Sequence, residues 1–77
     1  MGAWAPTALW TFHHLPMHAA FTVDRAVIRF AMTGEGHLEW VAPYHRLRAG
    51  VHDVVLHVDR EASTIDVLFV YRARQRA

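Results

Sequence analysis

The residues best equipped for chemistry lie in the stretch YHRLRAGVHDVVLHVD and in the later YRARQR. Arg46, Arg48 and Arg72 are permanent cations able to meet a phosphate. His57 carries an imidazole whose ordinary midpoint, about 6.5, suits it to moving protons. Metal-free RNA cleavage needs these functions: positive charge on the scissile phosphate, a group to activate the 2′-hydroxyl, and one to protonate the leaving oxygen. Asp53 stands among them, and a carboxylate there opposes an incoming phosphate. Three readings stay open: a phosphate-handling site, a solvated ion-paired sheet face, or a face that binds a partner protein.

A hairpin must position these groups. With Ala49–Gly50 as a two-residue turn, Arg48 faces Val51, Leu47 faces His52 and Arg46 faces Asp53. Alternation then sends Tyr44, Arg46, Arg48, Asp53, Val55 and His57 to one face. Leu47, His52, Val54, Leu56 and Val58 go to the other, against the helices. Arg72 and Arg74 are expected at the rim of the first face. A cross-strand Arg46–Asp53 ion pair would contribute about 0.2–1 kcal/mol.

Around this hairpin the hydrophobic period divides the chain in two. WAPTALWTFHHLP predicts a short helix, Ala5–Leu15, with Pro6 in the first turn and an end forced by Pro16. Ala5, Leu9, Phe12 and Leu15 mark its apolar side. A second helix is predicted over Met17–Thr33, where Ala20, Val23, Val27, Phe30 and Ala31 form a stripe widened by Phe21 and Ile28. Gly34 and Gly36 close it in the manner of a C-cap. From Leu38 the period becomes two, and LEWVAPYHRLR, VHDVVLHVD and TIDVLFVYR read as antiparallel strands, with REAS as a turn. Pro43 marks a bulge or edge position in the first of them. The fold class is α+β, two N-terminal helices packed on a curved antiparallel sheet of three to four strands.

The bulk properties fit one small domain over residues 1–77. A composition 53% hydrophobic and 19% charged excludes a disordered chain. With no cysteine, neither a disulfide nor a thiolate metal site can supplement the core. Net charge is only +1, so the whole molecule is no polycation and any nucleic-acid contact must be local. No apolar run spans a membrane, and MGAWAPTALW lacks the basic start of a signal peptide, so a cytoplasmic protein is expected. A domain this small gains stability by binding a partner.

Other candidate sites are weaker. His13, His14 and His18 suggest a metal, but Pro16 breaks the helical spacing a zinc helix needs, so no metal site and no cofactor is expected. GEGHLE follows a helix instead of a strand and lacks a third glycine, so it reads as a loop and not a phosphate cradle. Trp4, Trp10 and Trp40 are read as core or partner-interface residues.

Three segments in register resemble one family. WAPTALWTFHHLP is similar to the opening helix of RelE/ParE-superfamily toxins of type II toxin–antitoxin systems. YHRLRAG resembles their Tyr then Arg-Leu-Arg-Val-Gly strand, and VVLHVDREASTIDVLFVYRAR resembles their last hairpin. The resemblance implies a short first strand, which must fit within MGAW. It implies an antitoxin protein as partner; the binding residues expected on this chain are Trp40, Tyr44, Asp53 and Arg74. It also implies a target, either ribosome-bound messenger RNA, which RelE-like members cut, or DNA gyrase, which ParE-like members poison. A nuclease would use Arg46, Arg48, His57 and Arg72. The RelE-like pattern, however, places a basic residue where this chain has Asp53, and a Tyr or His near the end where this chain reads RQRA. The expectation is a toxin-like component without nuclease activity, ParE-like or degenerate; the alternatives are a ribosome-dependent endoribonuclease and a repurposed protein-binding domain.

Overall fold

The computed structural model describes residues 2–73. In chain order the elements are β1 (Gly2–Trp4), α1 (Pro6–His13), α2 (Met17–Thr33), β2 (His37–Val41), β3 (Tyr44–Ala49), β4 (His52–Asp59) and β5 (Thr64–Arg72). One mixed sheet runs β1-β5-β4-β3-β2, with β1 parallel to β5 and every other pair antiparallel. Two helices on a sheet is the expected architecture. The sheet, however, has five strands instead of three to four, and one pair is parallel.

The helices follow their signals closely. Pro6 opens α1, and its last turn tightens as the His14 and Leu15 N–H groups reach back only three residues, to Thr11 and Phe12. The helix therefore stops short of the expected Leu15. Helix α2 has the expected bounds and ends at Gly34, whose N–H donates to the Phe30 carbonyl at 2.8 Å. Its buried stripe is narrower than the sequence suggests. Ala19, Val23 and Val27 are buried, with Ala26 and Phe30 packed beside them, whereas Phe21 and Ile28 are exposed. On α1, Ala8 is the buried residue and Leu9 is exposed.

Three departures in the sheet have local causes. LEWVAPYHRLR is two strands and not one. Proline cannot donate to a ladder, so Ala42–Pro43 becomes a turn and Val41 pairs with Tyr44. Next, the β3–β4 turn is Gly50–Val51 and not Ala49–Gly50. Gly50 supplies a φ of +64° at the first loop position, which alanine resists, and Ala49 stays in the strand, buried opposite His52. The register moves by two residues, so Arg48 faces Asp53 and Arg46 faces Val55. An even shift leaves each residue on its expected face.

The third departure is a bulge between β4 and β5. Val55 pairs with Phe69 but Leu56 pairs with Val67, which leaves Leu68 as the extra residue. Val67 and Val70, three apart, therefore both point into the core with Leu47, Val54 and Leu56, against Ala8, Val23 and Val27 of the helices. Trp4 joins this core's edge through an edge-on contact with Phe12 at 5.0 Å, whereas Trp10 and Trp40 are exposed. Among the described residues no helix is long and apolar enough to cross a membrane.

Candidate functional site

The helix-free face of the sheet carries the residues singled out above, arranged in three rows across β2 to β5. His37, Arg48, Asp53 and Tyr71 form the first, and Glu39, Arg46, Val55 and Phe69 the second. In the third, Val41 faces Tyr44 and His57 faces Asp66, with the Tyr44 and His57 rings edge-on at 6.3 Å.

Asp53 is the buried charged residue of the described chain. It lies between two long cross-strand neighbours, Arg48 and Tyr71, which accounts for burial on a face no helix covers. Arg48 Nε donates to Asp53 Oδ1 at 2.8 Å, and the two side chains differ sharply in exposure, 51% for Arg48 and 8% for Asp53. The expected Arg46–Asp53 pair is thus corrected to Arg48–Asp53 by the two-residue change of register. Arg46 instead donates to the Glu39 carboxylate across β2. That hydrogen bond first, and then one with Tyr71, raises the Arg46 pKa further above its ordinary value and locks the guanidinium in its charged form.

His57 Nδ1 lies 3.8 Å from Asp66 Oδ2, with both side chains about half exposed. This is an ion-pair distance that attracts only when the imidazole is protonated, too long for a hydrogen bond. With histidines neutral, the three rows hold two arginines against three carboxylates, Glu39, Asp53 and Asp66, and Asp59 adds a fourth at the end of β4, where its Oδ1 accepts from the Ala62 N–H.

Arg46, Arg48, His57, Tyr44 and Asp53 therefore share one face, and Arg72 does not join them. It pairs with His52, which lies beside Ala49 on the helix side, because the bulge at Leu68 reverses the alternation that otherwise carries Asp66 and Arg72 to one face. Tyr71, not Arg72, is the β5 residue that reaches this face at the strand's end, opposite Asp53. Trp40 also lies on the helix side, by alternation with Glu39, against the His45 ring at 4.9 Å. Arg74 lies outside the described residues. Of the histidines expected not to bind metal, His14 donates Nδ1–H to the Trp10 carbonyl at 2.7 Å and stacks on its ring.

Six residues of this face, His37, Glu39, Val41, Asp66, Phe69 and Tyr71, were missed from sequence. Glu39 was hidden by reading β2 and β3 as one strand. Asp66, Phe69 and Tyr71 share a face only through the bulge, for which the alternation in TIDVLFVYR gives no sign.

This fold matches solved toxin structures. The chain aligns with one in the crystal structure of the intact E. coli RelBE toxin–antitoxin complex at a TM-score of 0.77 and 15% identity, covering 97% of this chain and 98% of that one. For the isolated E. coli RelE toxin the TM-score is 0.78 at 15% identity, with 99% and 86% covered. For the archaeal RelE–RelB complex of Pyrococcus horikoshii OT3 it is 0.69 at 18%, with 99% and 96% covered. No protein-family model and no curated protein matches the sequence. The chain has the RelE toxin fold, as its three sequence segments led us to expect.

Proposed function

We propose that this chain is the toxin-type member of a toxin–antitoxin pair, bound by a protein antitoxin in the cytoplasm, and that it does not cleave RNA. The observation that carries the reading is that both arginines of the helix-free face already hold a carboxylate, Arg48 with Asp53 and Arg46 with Glu39. A phosphate lodged about 5 Å from Asp53 would meet a repulsion of about 3 kcal/mol from that carboxylate at an effective dielectric of 20, which offsets the attraction of its partner Arg48 at a like distance. That is the size of the ~2.7–4 kcal/mol that one oxyanion donor supplies to a transition state. The paired arginines therefore withhold the stabilisation that the charge developed in RNA cleavage needs. An antitoxin partner is supported by the neighbours of like fold solved as toxin–antitoxin complexes. Any toxicity then comes from stoichiometric binding, with DNA gyrase as one target class.

A ribosome-dependent endoribonuclease is the rival reading. It is favoured by one feature, the His57 imidazole standing between Tyr44 and Asp66 on the same face as the two arginines.

The test is inducible expression of the chain in bacteria, alone and with the product of the neighbouring small open reading frame. Growth arrest relieved by co-expression, with the two proteins forming a purified complex, is the expected result. The absence of both arrest and a complex would overturn the proposal.

A further inference from the structure

At the centre of the helix-free face is a cavity of about 200 Å³ lined by Val41, Tyr44, Val55, Phe69 and Tyr71, with Arg46 on its wall. Its floor is Val55, and its sides are aromatic rings that remain partly open to solvent; Phe69 is 54% exposed. Cavities of roughly 150 Å³ with apolar walls accept a benzene-sized ring. The size and lining therefore suit one large apolar side chain.

The charge around the cavity decides what else the ligand carries. Glu39 is engaged by Arg46, and Asp53 is sealed beneath Arg48. Among the described residues, Asp66 is the carboxylate of these rows that no arginine meets, about half exposed, with the His57 ring nitrogen 3.8 Å away. An anion gains nothing here, whereas a cation placed near Asp66 does. Side chains two residues apart on an extended segment are about 7 Å apart on the same face. Asp66 faces His57, two residues along β4 from Val55 at the cavity floor, so the step from the cavity to Asp66 is of that order.

We infer that this face seats an extended segment of a partner protein that presents a large apolar anchor, aromatic or leucine-like, followed two residues on by an arginine or lysine. The anchor fills the cavity between Tyr44 and Phe69, and the cation meets Asp66. The inference rests on the proposed protein-binding function and adds a chemistry: the segment is apolar and basic, not acidic.

Two tripeptide probes test it, N-acetyl-Phe-Ala-Arg-amide and N-acetyl-Phe-Ala-Glu-amide, titrated into the isotope-labelled chain and followed by amide chemical shifts. The arginine peptide should move the Tyr44, Val55, Phe69 and Tyr71 amides, with an affinity in the millimolar range. The glutamate peptide should bind about twofold to fivefold more weakly, the range one exposed ion pair supplies. Asp66→Asn should erase that preference, and Phe69→Ala should abolish the shifts while its spectrum stays folded. Equal binding of the two peptides, shifts confined to other surfaces, or no shifts at all would each overturn the inference. So would a triadenylate that moves the same amides at lower concentration, since that assigns the face to nucleic acid. Failure here while the antitoxin still binds faults the face and leaves the proposed function intact.

Discussion

Replacing Arg48 with alanine should destabilise the protein far more than replacing its partner Asp53 with asparagine. The asymmetry follows from exposure, since the Arg48 side chain is 51% exposed and the Asp53 side chain 8%. In Asp53→Asn the half-exposed guanidinium stays hydrated and the amide oxygen still accepts from Nε, so a charge-assisted bond becomes an ordinary one. The loss is then about 1 kcal/mol, the ordinary net value of one hydrogen bond. In Arg48→Ala the carboxylate stays desolvated without its cation. Breaking a buried pair in this way costs about 3–5 kcal/mol, and the half-exposed donor places this site at the lower end, about 3 kcal/mol. For a domain of this size each kcal/mol moves the melting temperature by about 4–8 °C. The expected drops are therefore about 12–24 °C for Arg48→Ala and about 4–8 °C for Asp53→Asn. The double variant should recover part of the larger loss, because it no longer leaves a buried charge alone. Urea unfolding at neutral pH, followed by circular dichroism, measures all three. Equal losses from the two single variants, or strictly additive losses in the double, would refute the reasoning.

Gly36→Ala should destabilise by about 1–3 kcal/mol through overpacking, because a Cβ there would stand 2.7 Å from Cδ1 of the buried Leu47; a melting curve unchanged from wild type would contradict this. Glu39→Gln releases Arg46 on an exposed part of the face. RNA binding measured against salt should strengthen, with a slope steeper by about one contact, and an unaltered slope would show Glu39 to be irrelevant to phosphate. The lone chain should melt well below its complex with the antitoxin, since ligation of the folded state alone adds stability. A concentration-independent transition above about 80 °C for the lone chain, beyond the mesophile range, would contradict that expectation.

The parts of this fold that were legible in the sequence are those set by local chemistry. Pro6, Pro16 and Gly34 act within one turn of their own position, so α2 was bounded correctly and α1 nearly so. The faces of β3 and β4 followed from alternation alone. What was not legible depends on pairing between segments. The change from Ala49–Gly50 to Gly50–Val51 left every face intact yet gave Asp53 a different arginine. Leu68 carries no mark of being the bulged residue, and only its position opposite Val55 and Leu56 brings Phe69 and Tyr71 to the outer face and takes Arg72 away. The three-residue β1 depends on β5 as its partner, and nothing in Gly2–Trp4 itself specifies a strand. The candidate site is built from such pairings, so its cations were foreseeable and the carboxylates that neutralise them were only half so.

The central claim is that a face whose arginines are already paired does not cut RNA. Primer extension across translating messages, in cells expressing wild type, His57→Ala or Glu39→Gln, tests this most directly. The account predicts no codon-positioned breaks with wild type and none with His57→Ala, whether or not growth stops. Breaks made by wild type that vanish with His57→Ala would contradict it and assign the face to a ribonuclease.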